Sequence, residues 1–236
     1  MKIVWQPRWF PLSMAQRAAT LWRGVEAQHL LATMRLVDNL DEQQLLESLL
    51  ETSKPNLPSA GRDKHYLLSA PFRYSSSHAS RFRRQSAPGI WLGAEDLHTA
   101  CSETAVWRWR FMMDSDGLKE QALHVQMTFF QANVTGKSID LTTHPWSSAE
   151  ELWTNRNYAS SHAMAEEGRQ QGLQWIRYRS TLGTKGMCAA VFTPQALSLR
   201  SNFVQQTWAC KFTANHVFMQ QGHNAAYQFD TQHWVR

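Results

Sequence analysis

The chain has 236 residues, a length that suits one large domain or two small ones. Its 43% hydrophobic and 18% charged content is ordinary for a soluble globular protein and unlike a low-complexity chain. A formal net charge of +5 favours anionic partners, but the arginines interleave with aromatics (Trp107-Arg108-Trp109-Arg110, Arg177-Tyr178-Arg179) and form no polybasic tail.

Met1 to Leu12 contains two prolines and two tryptophans and no apolar h-region, so it does not read as a signal peptide. No apolar run approaches the length of a membrane span. Met14 to Thr52 reads as helical. Asp38 to Glu42 supplies a cap and first-turn acids, and Leu45, Leu46, Leu49 and Leu50 follow at helical spacing. Lys54-Pro55 to Asp63 ends that helix in a loop. Residues 1–64 are therefore expected to be a helical N-terminal part, and 65–236 the main domain, possible as one continuous unit.

His65 to Tyr74 is expected to be a short buried strand with Pro71 near its end. Ser75 to Pro88 is a polar, basic loop, and Ile90 to Ala94 a strand. Glu95-Asp96 opens a helix that passes Glu103 towards Arg110. Val125, Met127 and Phe129 alternate, which predicts a half-buried strand over His124 to Val134, with another short one at Ser138 to Leu141. Ser147 to Glu150 has capping-box spacing and starts a helix running towards Gly172. Trp175 to Ser180 and Met187 to Phe192 are two strands joined by a turn containing Gly183 and Gly186. The fold class is α+β. The eleven tryptophans, spread from Trp5 to Trp234, indicate a core rich in large aromatics.

Several chemistries lack their motifs. Cys101, Cys188 and Cys210 form no CxxC, and their odd number argues against a disulfide framework, so a reducing cytoplasm is expected. No His-x-x-x-His lies beside a suitable carboxylate, so no metal is expected. Neither GxGxxG, nor a Walker sequence, nor a nucleophile elbow occurs.

What stands out is an ordered set: Ser80-Arg81-Phe82, then Trp91-Leu92-Gly93-Ala94 running to Glu103, then Tyr178-Arg179-Ser180. An arginine fork grips phosphate, a carboxylate stabilises a ribosyl cation, and a hydroxyl positions the carboxylate. Taken singly these residues have ordinary readings: a solvated loop arginine, an exposed helix glutamate, a strand-end serine. Their surroundings add weight. Leu21 to His29, Leu36-Val37-Asp38, Lys54-Pro55, His65 to Leu68 and Pro71 to Tyr74 resemble the lead-in of a longer subgroup of the RES family. Ser80-Arg81-Phe82 resembles that family's glycine-arginine-aromatic motif. Gly89 to Glu95 with Thr99, Ala100 and Glu103 resembles its second block. Ile139-Asp140-Leu141, Tyr178-Arg179-Ser180 and Cys188 to Phe192 resemble the last.

The resemblance implies a mixed-sheet core similar to ADP-ribosyltransferases. It implies a toxin of a toxin–antitoxin pair that cleaves the nicotinamide–ribose bond of NAD+ and passes ADP-ribose to inorganic phosphate, to water or to a protein. NAD+ is then a substrate and no cofactor is expected. The implied partner is a helix-turn-helix antitoxin, with nucleic acid met only through it and no membrane. Glu103, Arg81 and Ser180 would be catalytic. A further arginine is expected on the first strand of the pocket. Arg23 and Arg73 both qualify, with a slight preference for Arg73, which is closer in sequence to Arg81. The family's second block has a tyrosine where this chain has Leu92, so a phenol is missing beside the nicotinamide. Trp91 is adjacent but points to the other face of a strand. Tyr74 is a candidate replacement. The competing reading is a non-catalytic RES-fold module that binds nucleic acid or a partner protein.

Overall fold

The computed structural model describes residues 5–27, 33–34, 36–182 and 185–234. Gln28, His29 and Gly183, used above, lie outside the described residues.

Among the described residues the fold is built on a nine-stranded mixed sheet. Strand β1 spans Ala15–Glu26 and pairs antiparallel with β3, Leu123–Asp140, over twelve residues from Ala15↔Ser138 to Glu26↔Met127. Its other edge meets β2, Trp91–Ala94, at Trp22↔Ala94. β2 pairs with β5 (Met187–Val191), β5 with β4 (Trp175–Arg179), and β4 runs parallel to the end of β3. The five strands thus close into a ring. β6 (Leu197–Ser198) pairs with β3, and β7 (Gln205–Phe212), β8 (His216–Gln221) and β9 (Ala225–Asp230) extend the sheet from β3 as a meander.

Side chains alternate between two cores, as strand geometry requires. Met127, Phe129, Ile139, Ile176, Tyr178, Cys188 and Ala190 face one core; Phe130, Ala132, Val134, Trp175, Ala189 and Val191 face the other. Helix α1, Trp9–Ser13, precedes β1, and helix α4, Leu97–Met113, covers the first face. Asp96 caps it by accepting from the Thr99 amide at 2.8 Å. Gly24 of β1 allows the close approach of this helix: a Cβ there would lie 2.6 Å from Thr104 Oγ1 and from Phe129 Cε1. Four tryptophans, Trp91, Trp146, Trp175 and Trp208, are among the largest fully buried side chains.

Three expected elements are corrected. Residues 15–26 are a strand, not helix. Alanine, glutamine and arginine favour a helix locally, but twelve cross-strand pairs to β3 outweigh a weak propensity. Part of the expected helix does form as α2, Leu40–Ser53, where Asn39 accepts from the Glu42 amide and Glu42 accepts from the Asp38 amide. Its leucines do not make a buried face: Leu40, Leu45, Leu49 and Leu50 are exposed. β1 lies before residue 64 while β2 and β3 lie after it, so the central sheet crosses the expected boundary at 64/65.

The second correction concerns 66–73, which form helix α3, not a strand. Pro71 has no amide proton, which leaves the Leu67 carbonyl one turn back without its helical donor. The buried Trp91 indole donates to that carbonyl at 3.3 Å, and Leu67, Leu68 and Phe72 bury in the second core.

The helix expected from Ser147 to Gly172 is also broken. The expected capping box does not form: the 3-10 turn at 146–149 has no side-chain cap, the helix stops at α5, Glu151–Thr154, and it resumes as α6, Ala159–Gln170. Arg177 locks the sheet below the site. It forks onto Glu95 at 2.6 and 2.9 Å and reaches Asp140 at 2.8 Å. Burial pushes the Asp140 carboxyl up, but Thr142 and Arg177 outweigh it and hold it below the ordinary value.

Candidate active site

The alternation described above places Leu92, Tyr178, Ser180 and Cys188 on the sheet face that α4 covers. Glu103, in the second turn of that helix, points at them. Ser180 Oγ donates to Glu103 Oε1 at 2.7 Å, and Cys188 Sγ donates to the same oxygen at 3.7 Å. The strand pairing Tyr178↔Cys188 sets both donors in register.

Two cavities meet at this carboxylate. One, of about 560 Å³, contains Arg81, Arg110, Arg156, Thr181, Gln228 and His233 in its wall. The other, of about 1010 Å³, contains Trp22, Arg23, Tyr74, Ile90, Phe111 and Met127. Ser80, Leu92, Glu103, Trp107, Arg110, Tyr158 and Tyr178 line both. Glu103, Trp107 and Arg110 follow the i, i+4, i+7 spacing of one helix face, a sequence signal that identifies Trp107 and Arg110 once Glu103 is chosen. Tyr158, just before α6, had no such signal. It reaches the cleft because the break after α5 turns the chain back to the sheet.

Arg81 is held at the rim. One guanidinium nitrogen donates to the Trp153 carbonyl at the end of α5 and the other to Thr181 Oγ1 at 2.6 Å, with the Tyr158 ring 5.3 Å away. The loop that carries it is fixed by His162, whose Nε2 lies 2.8 Å from the Ser80 carbonyl oxygen.

The structure brings Arg81, Glu103 and Ser180 together with Leu92. Of the other four candidates, Arg73 and Trp91 lie outside both cavities, and Arg23 and Tyr74 line only the larger one. Arg73 sits on α3 and pairs with Glu51 of α2 at 3.3 Å, outside both cavities, so the preference for Arg73 is corrected. Arg23 is on the first strand and lines the larger cavity. It enters the larger cavity from the Trp91 side, 5.3 Å from that ring, and donates to the Leu92 carbonyl at 2.7 Å. Burial lowers its guanidinium to about 10, which leaves it cationic at neutral pH. Trp91 is fully buried in the second core and lines neither cavity, so it is not a ligand-contacting residue. Tyr74 is exposed and lines only the larger cavity.

A family model described as the RES domain matches residues 57–213, more than half of the chain. The chain belongs to the RES family. Among solved structures it is similar to a chain in the crystal structure of the M. tuberculosis MbcT–MbcA toxin–antitoxin complex, with a TM-score of 0.47 and 12% identity, over 88% of this chain and 92% of that one. No curated protein matches the sequence. Both cavities draw on residues beyond the RES match. Arg23 and Trp22 of β1 precede it, and Gln228, Asp230 and His233, from β9 onward, follow it. No helix among the described residues is long and apolar enough to cross a membrane, and these residues hold no cluster suited to a metal ion.

Burial pushes the Glu103 carboxyl above its ordinary value, opposed by the Ser180 and Cys188 donors and by the charges of Arg81 and Arg110. The linkage to folding follows from the direction. A carboxyl raised in the folded state loses stability for the fold as pH climbs from its ordinary value through its raised one. Glu103→Gln removes the ionisation and keeps the shape. Its melting temperature should exceed the wild type's at pH 8, and the gain should vanish below about pH 4, where both side chains are neutral. Melting curves at the two pH values check this; an equal Tm difference at both would contradict it.

Proposed function

We propose that this RES protein is a toxin of a toxin–antitoxin pair that cleaves the nicotinamide–ribose bond of NAD+ and transfers ADP-ribose to inorganic phosphate, with water or a protein as other acceptors. One observation carries the reading. A half-buried glutamate, oriented by a serine and flanked by arginines, lies where two cavities meet. A dinucleotide has two halves and an anionic bridge, and this cleft has two lobes and guanidinium groups beside their junction. Each lobe lies within or near the size range of small-molecule sites, about 300–1,000 Å³.

The chemistry asks for an anion near the anomeric carbon. As the bond to nicotinamide lengthens, positive charge builds on the ribose, and nicotinamide leaves as a neutral base. The Glu103 carboxylate stabilises that charge, as carboxylates do in glycoside hydrolysis. Ser180 fixes its orientation, so no reorganisation is needed at the moment of reaction. Arg81 and Arg110 favour the anionic form of Glu103 and offer charge-assisted hydrogen bonds to the pyrophosphate. Arg110 and Arg156 of the smaller lobe also suit an incoming phosphate. NAD+ is consumed as a substrate and no cofactor enters. The proposed partner is a helix-turn-helix antitoxin, the proposed compartment the cytoplasm.

The test is to incubate the purified protein with NAD+, with and without phosphate, and to follow free nicotinamide and the ADP-ribosyl product. Nicotinamide release in phosphate, with ADP-ribose 1″-phosphate formed, fits the proposal. No release under either condition would favour the second reading, a RES-fold binding module. Leu92, standing where the family's tyrosine is expected, is the observation on that side.

Leu92→Tyr probes the point directly. Leu92 lines both lobes at the junction, where Tyr158 and Tyr178 already place phenol rings. A third ring should raise turnover by roughly two- to tenfold, the worth of one aromatic contact. Crowding should lower stability by about 1–3 kcal/mol. Steady-state rates and melting temperatures of the two proteins check both effects. A folded variant with no gain would mean that the existing tyrosines already hold the nicotinamide.

A further inference from the structure

Glu103 has two oxygens, and the structure treats them differently. Oε1 accepts from Ser180 Oγ at 2.7 Å and from Cys188 Sγ at 3.7 Å. Oε2 accepts no hydrogen bond among the described residues. We propose that Cys188 is a positioning residue for Glu103: its thiol and the Ser180 hydroxyl anchor Oε1, and Oε2 is the oxygen turned to the reacting sugar. The identity of that sugar rests on the NAD+ reading above; the anchoring does not.

The assignment stands on where β5 puts this side chain. Cys188 pairs with Ala94 of β2 on one side and with Tyr178 of β4 on the other, so it cannot turn from the face that Glu103 meets. It is 1% exposed and lines the larger lobe beside Glu103. A sulfur there acts as a donor only while it keeps its proton. Burial, and the charge of Glu103 next to it, push the thiol well above its ordinary value, so it stays protonated at neutral pH. The same surroundings make it a poor nucleophile, which separates a hydrogen-bonding role from a covalent one. Cys101 and Cys210 are also buried, but neither donates to a carboxylate.

The charged and titratable groups around Glu103 come from every neighbouring element. Arg81 stands on the rim loop and Arg110 on the same helix, both favouring the anion. Tyr178 on β4 is buried and pushed well above its ordinary value, so it stays neutral. Arg23 on β1 lies across the larger lobe. Against this background the Cys188 thiol is one of the few groups that oppose the upward push of burial on the half-buried Glu103 carboxyl.

The test uses Cys188→Val, which keeps volume and removes the donor, and Cys188→Ser, which keeps a donor of shorter reach. The direct readout is the titration of the Glu103 side-chain carboxyl by carbon NMR in the full chain, which needs no enzymatic activity. Losing one hydrogen bond to the anion should raise the midpoint in Cys188→Val by roughly half to one pH unit. Cys188→Ser should fall between that variant and the wild type. Where NAD+ turnover is measurable, the acid limb of kcat/KM should move upward by the same amount. A merely structural cysteine would change the melting temperature and leave both midpoints in place. A folded Cys188→Val protein with an unmoved Glu103 midpoint overturns the proposal. A moved midpoint in a protein that does not cleave NAD+ would uphold the anchoring and reject the NAD+ reading.

Discussion

Glu103→Gln is expected to lower NAD+ cleavage by about a hundredfold or more while the protein stays folded. The loss of one preorganised electrostatic group at a developing charge has that size. The amide keeps the volume of the side chain and still accepts from Ser180, so the cleft should keep its shape. What disappears is the anion opposite the ribosyl cation. The effect should fall on kcat with little change in substrate affinity, because the charge it answers exists only in the transition state. Nicotinamide release at saturating NAD+ measures it. Turnover equal to the wild type's would remove Glu103 from the chemistry, whatever its position in the cleft. The same substitution should make the protein more stable at pH 8, since a partly desolvated carboxylate costs the fold more than an amide. Lower activity with higher stability is the pattern expected of a group kept for function.

Arg81→Lys is the second large effect. Arginine here does two things at once: its guanidinium ties the end of α5, through the Trp153 carbonyl, to Thr181 after β4, and it presents cationic charge to the cleft. A lysine ammonium keeps the charge but cannot span both partners or offer a fork to a pyrophosphate. Hydrogen bonds involving a charged group are worth about 1.5–3 kcal/mol, so NAD+ affinity should fall by roughly ten- to a hundredfold. Calorimetry in the Glu103→Gln background, where the substrate survives, gives the dissociation constant directly. An unchanged constant would leave Arg81 as a structural tie between α5 and the turn after β4 that carries Ser180, with no contact to substrate.

The sequence alone determined the pieces with local causes. Asp96 before an apolar run, with acids ahead of it, marks the start of the helix that carries Glu103, and that helix forms with Asp96 as its cap. Alternating residues in Val125 to Phe129, and the paired runs 175–180 and 187–192, mark β3, β4 and β5. The order of Arg81, Glu103 and Ser180 was legible for the same reason: each sits in a short segment whose own residues identify it. Only the tertiary structure decided the rest. Residues 15–26 became a strand because their partners lie more than a hundred positions away in β3. Residues 66–73 became a helix because Trp91 satisfies the carbonyl that Pro71 leaves open. Local sequence did not separate Arg23 from Arg73, and nearness to Arg81 gave Arg73 a slight preference that the fold reverses. One lines the larger lobe and the other pairs with Glu51, because one is on β1 and the other on α3. Tyr158, Gln228 and His233 enter the cleft from segments with no mark of their own. Propensity is a sum of small local terms, whereas a cleft wall is fixed by which distant segments the closed sheet brings together.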